Sequence, residues 1–170
     1  MKTNFPVEAF AKLETPFYYY DVELLKKTLD TVRNEAAKHT GFHVHYAVKA
    51  NFNPRLLDII AATGLGADCV SGGEVAAALK AGVPASKIVF AGVGKTDKEI
   101  ALSLDAGIFC FNVESVPEIE AINSLAAERG VVAQVAIRVN PNIGAHTHAN
   151  ITTGLAENKF GINYEQLDDV

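Results

Sequence analysis

Three charged residues lie within or at the end of short apolar runs of the sequence: Lys49, Asp68 and Arg138. Charges in such runs are rarely left without a partner. A lysine amine withdrawn from water becomes a nucleophile toward a carbonyl group, and strand alternation predicts that His45, Ala47 and Lys49 share one face. Two interpretations stay open. Asp68 and Arg138 line a site with Lys49, or they form a structural ion pair while the Lys49 amine reaches solvent.

A glycine-rich turn raises the question of phosphate binding. Gly94-Lys95-Thr96 ends like a P-loop, but that motif requires a glycine where the sequence has Val89. A dinucleotide-binding GxGxxG that starts at Gly64 would require its third glycine at Cys69. Both motifs are incomplete, so the sequence does not favour nucleotide binding.

Two histidine pairs, His43/His45 and His146/His148, have a spacing that places both imidazoles on one face of a strand. A zinc site needs three or four protein ligands, and no third ligand follows either pair at a suitable spacing. We therefore predict no metal site.

The elements that would position these residues form a repeated pattern of strand and helix. Predicted strands span residues 43–50, 67–70, 87–91, 108–113 and 131–139. Helices between them begin with S/T-x-x-E capping boxes, which makes Glu74, Glu99 and Glu118 helix caps rather than catalysts. Asn53-Pro54 predicts another helix start. Glycines at 64, 82, 107 and 130 predict the helix ends.

This alternation predicts an α/β fold with a parallel sheet. A repeat of roughly 20–25 residues fits a (β/α)₈ TIM barrel, although a doubly wound open sheet has the same alternation. We predict an N-terminal segment, 1–21, with a strand at 17–20, and an incomplete barrel over 22–170. Asp21 would cap a helix at 22–38, residues 140–162 form a long loop, and a helix begins near Asn163 and is cut short at Val170.

Composition excludes several classes of protein. The net charge of −5 does not favour binding to nucleic acid or to an anionic membrane, and no apolar run reaches the ~20 residues of a membrane helix. The N-terminus lacks the apolar stretch of a signal peptide. Cys69 and Cys110 show neither disulfide-scaffold nor zinc spacing, so we expect a protein of the reducing cytoplasm.

One hexapeptide goes beyond these generic features. Tyr46-Ala47-Val48-Lys49-Ala50-Asn51 resembles the cofactor-lysine strand of the fold-type III pyridoxal phosphate (PLP) decarboxylases. Further segments resemble that family in the same order, at 66–74, 94–96, 111–115, 138–141 and 146–162. The last of these is more similar to the diaminopimelate decarboxylase branch than to the ornithine and arginine decarboxylases.

The resemblance implies a (β/α)₈ barrel followed by a C-terminal β domain, to which strand 17–20 would belong, in a homodimer. It implies that Lys49 forms the internal Schiff base with PLP and that Asp68 and Arg138 line the cofactor pocket. Lys159 matches a loop lysine near the active-site dimer interface.

The resemblance also implies a lyase of lysine biosynthesis, which decarboxylates meso-diaminopimelate to L-lysine and CO₂. A barrel needs roughly 250 residues, so the chain supplies about five of eight βα units, and we expect the isolated chain to be inactive. The alternatives are a non-catalytic PLP-binding barrel protein and a decarboxylase of another basic amino acid.

Overall fold

A computed structural model describes residues 5–140 and 160–170. Two helices come first, α1 (Val7–Phe10) and α2 (Val22–Ala36). The repeated part follows as β1 (His45–Ala47), α3 (Pro54–Ala61), β2 (Gly66–Cys69), α4 (Gly72–Lys80), β3 (Ile88–Phe90), α5 (Asp97–Ala106), β4 (Cys110–Val113), α6 (Val116–Glu128) and β5 (Val135–Ile137). Two short strands, β6 (Val139–Asn140) and β7 (Ile162–Asn163), form a separate parallel pair. Turns of 3₁₀ helix occupy Val48–Ala50, Ala85–Lys87 and Tyr164–Asp169.

The main sheet decides between the two folds that the sequence left open. Its strands run parallel and lie side by side in chain order, β1-β2-β3-β4-β5. A doubly wound sheet reverses its strand order at a switch point, whereas a barrel adds each strand beside the previous one. The sheet is therefore an arc of five strands of a (β/α)₈ barrel, as predicted.

The two faces of the sheet differ in their side chains. Ala67, Phe90, Phe111 and Val113 are buried in one core with residues from helices α3 to α6. Side chains alternate along a strand, so Asp68, between two core residues, projects from the face opposite the helices. That face is the inside of the barrel arc.

The predicted helix starts are confirmed. The side chains of the five N-cap residues each accept a hydrogen bond from a backbone N–H of the first turn: Asp21, Asn53, Ser71, Thr96 and Ser115. Only α5 has the reciprocal capping box among these helices. In α4 and α6 the third-position glutamates accept instead from the residue before the cap, because Glu74 binds Val70 N and Glu118 binds Glu114 N. The four helix-ending glycines all have positive φ.

Several predicted boundaries are wrong. The first strand ends at Ala47, and the fifth begins at Val135 rather than at residue 131. Valine at 131 and 132 favours a strand locally, yet a strand also needs a hydrogen-bonded neighbour, and β4 offers one only from Phe111 to Val113. The final helix near residue 163 is a 3₁₀ helix, Tyr164–Asp169, with Asn163 at its start.

The N-terminal segment contains a helix that the sequence did not predict and lacks the strand that it did. Residues 17–20 are irregular, and they pair with no strand in the described part of the chain. Instead, the rings of Phe17 and Tyr19 pack against Phe10 of α1, with centroids 5.4 and 5.0 Å apart. The assignment of 17–20 to a β domain, and the boundary at residue 21, remain predictions.

Candidate active site at the carboxyl edge of the sheet

A cleft of about 370 Å³ opens on the inner face where β2, β4 and β5 end. Its lining is Asp68, Ala91, Asn112, Glu114, Ala136, Ile137 and Arg138. In parallel α/β folds, the carboxyl ends of the strands are where active sites form. Two of the predicted site residues, Asp68 and Arg138, are therefore brought to one cleft.

Arg138 is paired with a residue that the sequence analysis did not single out. Its Nη1 donates to both carboxylate oxygens of Glu114, at 3.1 and 3.3 Å. The Glu114 side chain is 3% exposed, whereas that of Arg138 is 52% exposed. The guanidinium also lies 5.7 Å from the ring centroid of Phe160. Arg138 therefore pairs with the buried Glu114 carboxylate and also lies at the open part of the cleft.

Asp68 brings a carboxylate oxygen with unused hydrogen-bonding capacity to the cleft. Its Oδ1 is buried and accepts no hydrogen bond from the described residues. A buried carboxylate oxygen without a donor costs free energy, so Asp68 suits an occupant that brings an N–H or O–H group. Burial lowers the pKa of the neighbouring His45, and the Asp68 carboxylate opposes that shift.

Lys49 lies just beyond the end of β1, and its predicted strand position is wrong. It occupies the 3₁₀ turn Val48–Ala50, because β1 stops at Ala47. The alternation that would align Lys49 with His45 and Ala47 therefore does not continue through it. Ala47 pairs with Asp68 across β1 and β2, so Lys49 follows that pair by two residues at the same carboxyl edge. Its side chain is exposed.

The turn that carries Lys49 is fixed on both sides. Val48 is fully buried in the core, and the Asn51 N–H donates to the Val48 carbonyl at 3.1 Å. The Tyr46 hydroxyl donates to the Asn51 carbonyl at 3.0 Å. The amine thus projects from an anchored turn rather than from a free loop end.

The lysine of the Gly94-Lys95-Thr96 turn has an internal role. Lys95 Nζ donates to the carbonyls of Gly92 and Asn112, each at 2.8 Å, and pairs with the Glu118 carboxylate. Its side chain is 1% exposed, and its Nζ lies 5.4 Å from the centroid of the Phe90 ring. A cation with these partners is not available to a phosphate, which agrees with the incomplete P-loop motif.

Of the three glutamates that the sequence predicted as helix caps, Glu99 forms the reciprocal capping box, whereas Glu74 and Glu118 bind the residue before the cap. Glu99 also accepts a hydrogen bond from Gly72 N at 2.7 Å, so it links α5 to the start of α4. The Glu118 N–H donates to the Ser115 hydroxyl that caps α6, and the Glu118 carboxylate neutralises Lys95. Since Glu118 also accepts from Glu114 N at 3.0 Å, one network runs from Lys95 through Glu118 and Glu114 to Arg138.

The two cysteines add no reactive thiol to this site. Burial, together with the carboxylates of Glu74 and Asp68, raises the pKa of the Cys69 thiol to about 12, so it remains protonated. Both cysteines are free and buried. Lys159, His146 and His148 lie outside the described residues. Within 5–140 and 160–170, no cluster of three His, Cys, Asp or Glu side chains could hold a metal ion.

A larger cleft, of about 450 Å³, lies at the opposite edge of the sheet. It is lined by residues such as His43, Gly64, Lys87 and Phe109, which come before the strands rather than after them. None of Lys49, Asp68 and Arg138 lines it.

No helix among the described residues is long and apolar enough to cross a membrane.

The site can be compared with known proteins. The family described as "Pyridoxal-dependent decarboxylase, pyridoxal binding domain" matches residues 23–170. A diaminopimelate decarboxylase of Bacteroides thetaiotaomicron is 62% identical over 170 residues, which are 100% of this chain and 44% of that protein.

Solved structures agree with this match. The crystal structure of diaminopimelate decarboxylase from Helicobacter pylori complexed with L-lysine has a TM-score of 0.82 at 44% identity, over 94% of this chain and 40% of that one. The enzyme from M. jannaschii, also with L-lysine, has a TM-score of 0.82 at 42% identity, over 95% of this chain and 38% of that one. The chain spans about 40% of the length of such relatives.

A parallel barrel arc, a lysine two residues after β1 and a cleft with three charged residues at the same edge are found in a sequence that the family matches from residue 23 to residue 170. The chain belongs to the pyridoxal-dependent decarboxylases and carries sequence of their pyridoxal-binding barrel domain.

Proposed function

We propose that this chain forms part of a PLP-dependent decarboxylase that converts meso-diaminopimelate to L-lysine and CO₂, a carboxy-lyase step of lysine biosynthesis. The observation that carries the proposal is the position of Lys49. It follows β1 at the edge where Asp68 and Arg138 line a cleft, in a chain 62% identical to a diaminopimelate decarboxylase. The two relatives of known structure described above were solved with L-lysine, the product that the proposal names.

The residues present fit PLP as the cofactor. PLP, when bound, supplies an electron sink for the pair left on the substrate carbon as CO₂ departs. Lys49 offers a primary amine on an anchored turn, which is the group that can hold an aldehyde covalently. Asp68 offers a buried oxygen without a hydrogen-bond donor in the described chain. We therefore assign Lys49, Asp68 and Arg138 to cofactor binding, and Lys49 also to catalysis.

The proposed reaction replaces one carboxylate of the substrate with a proton. The bond between Cα and one substrate carboxylate breaks and CO₂ leaves. A proton then takes the place of that carboxylate on Cα. Lys49 would hold the cofactor through its side-chain amine, and that amine would also be the group at the site that can accept or give up a proton. Arg138 would keep a positive charge in the cleft, held by Glu114, where an anionic substrate or cofactor group enters.

The assembly and location are also proposals. We propose a cytoplasmic homodimer in which Lys159 lies near the active-site interface, as the resemblance to the family implies. The two free, buried cysteines support a reducing compartment. Residues 17–20 would form a strand only with the β domain of the full-length protein.

The experiment is a comparison of substrates with the full-length purified protein. Release of CO₂ from meso-diaminopimelate should exceed release from L-ornithine and L-arginine by at least about 100-fold in kcat/KM, a difference of about 2.7 kcal/mol. A preference for L-ornithine or L-arginine would assign the protein to another basic amino acid. Bound PLP without CO₂ release from any of the three would identify a non-catalytic PLP-binding barrel protein.

A further inference from the structure

Asn51 is the centre of a small hydrogen-bond network directly after the Lys49 turn. Its carbonyl accepts from the Tyr46 hydroxyl at 3.0 Å. Its side-chain Nδ2 donates to the Tyr20 hydroxyl at 2.9 Å, and its Oδ1 accepts from Asn53 N at 2.9 Å. The network therefore joins β1, the N-terminal segment and the start of α3 at one residue.

The hydrogen bond from Tyr46 is made to the main chain of Asn51, whereas the bonds with Tyr20 and Asn53 are made by the Asn51 side chain. Tyr46 lies on β1 itself, and its ring packs against both hydrophobic clusters of the chain. The acceptor is the main chain of Asn51, which also donates to the Val48 carbonyl and so closes the 3₁₀ turn. A rigid strand residue thus holds the backbone on the far side of Lys49, while the buried Val48 holds it on the near side.

We propose that Tyr46 is a positioning residue for Lys49: its hydroxyl, through the Asn51 carbonyl, fixes the turn from which the lysine amine reaches the cleft. The inference rests on the proposed function, because Lys49 must be the residue that holds the cofactor. It goes beyond that function because Tyr46 is not among the residues that line the cleft.

The physical reason lies in the length of the lysine side chain. Lys49 is exposed and has a flexible four-carbon stem, so any motion of its backbone adds to the volume that its amine samples. Fixing the backbone on both sides removes part of that freedom before any ligand binds, and preorganisation of this kind accelerates capture. Burial raises the pKa of Tyr46, a shift away from neutrality, so the hydroxyl is protonated and can donate at neutral pH.

The test uses Tyr46→Phe in the full-length protein, since phenylalanine keeps the packed ring and removes only the hydroxyl. The control is Tyr19→Phe, whose ring packs on Phe10 instead. We expect amide exchange at residues 48–51 of the cofactor-free protein to accelerate about three- to tenfold in Tyr46→Phe, the range that one neutral hydrogen bond gives. The rate at which added PLP becomes fixed to Lys49 by borohydride should fall by a similar factor.

A second variant separates the main-chain contact from the side-chain contacts. Asn51→Ala removes the bonds to Tyr20 and Asn53 but keeps the carbonyl that Tyr46 holds, so its effect on both rates should be smaller than that of Tyr46→Phe. Unchanged rates in Tyr46→Phe, or a larger effect of Asn51→Ala, overturn the inference. A wild-type protein in which borohydride fixes no PLP at Lys49 overturns the proposed function instead.

Discussion

Arg138 and Glu114 form an ion pair in which one partner is almost fully buried and the other is half exposed: the Glu114 side chain is 3% exposed and that of Arg138 is 52% exposed. The pair joins the end of β4 to the end of β5, and the Arg138 N–H also donates to the Val113 carbonyl at 2.9 Å. The orientation of the arginine in the cleft therefore depends on a residue of the neighbouring strand.

We expect Glu114→Gln to weaken both folding and cofactor binding. The variant keeps the shape and one hydrogen bond but removes the charge, so the free energy of unfolding should fall by about 1–2 kcal/mol, since half-exposed Arg138 is partly screened. PLP titration of the full-length protein should show a raised Kd. Glu120→Gln, on the exposed side of α6, is the control. Equal PLP affinity in both variants would contradict the role given to Glu114.

Lys95 should be required for stability rather than for phosphate binding. Lys95→Met leaves Glu118 without its cation and the Gly92 and Asn112 carbonyls without a donor, so we expect a loss of about 3–5 kcal/mol in urea unfolding. Adding Glu118→Gln to this variant should recover part of the loss. Lys98→Met, at an exposed position of α5, should change little. A stable Lys95→Met protein that binds PLP more weakly would show that Lys95 serves the cofactor.

Gly161 is required where β7 approaches Arg138. Its φ is +102°, and a Cβ at this position would lie 2.6 Å from the Arg138 carbonyl oxygen. We therefore expect Gly161→Ala to cost about 1–3 kcal/mol and to displace Arg138, seen as a lower Tm and a raised Kd for PLP. Gly94→Ala is the matched control, because its Cβ would have no atom within 4 Å. Equal Tm values for the two variants would refute this account.

We expect acid to weaken the hydrogen bond between Gly72 N and the Glu99 carboxylate, which links α4 to α5. Hydrogen bonds from Thr96 N and Gly72 N lower the pKa of Glu99 below its ordinary value of 4.5. Because the folded state holds the carboxylate ionised, its contribution is present above the unfolded pKa and disappears as the pH falls through the folded pKa. We expect Glu99→Gln to be less stable than wild type at pH 7 and the difference to shrink below about pH 4. A difference that is constant from pH 7 to pH 3 would contradict this linkage.

The sequence predicted those features that local chemistry determines. Ser71, Thr96 and Ser115 cap helices wherever they occur before a glutamate at the third position, so the helix starts could be located without tertiary contacts. The alternation of strand and helix predicted five parallel strands, but only their order in space separates a barrel from an open sheet.

The remaining features depend on neighbours that are distant in sequence. Glu114 was missed because a glutamate after a strand resembles a helix cap, and only the approach of Arg138, 24 residues later, reveals its partner. Lys49 was placed on the strand because nothing in Val48-Lys49-Ala50 signals that β1 ends at Ala47. The 3₁₀ turn there is closed by contacts with Asn51, which a two-residue alternation does not anticipate.

The central claim is that Lys49 holds PLP. The most direct measurement is reduction of the full-length protein with borohydride in the presence of PLP, followed by peptide mapping by mass spectrometry. We predict that the reduced phosphopyridoxyl group lies on Lys49 at close to one per chain, and that Lys49→Ala abolishes both this labelling and the release of CO₂. Labelling of Lys95, Lys87 or any other lysine in place of Lys49 would contradict the account.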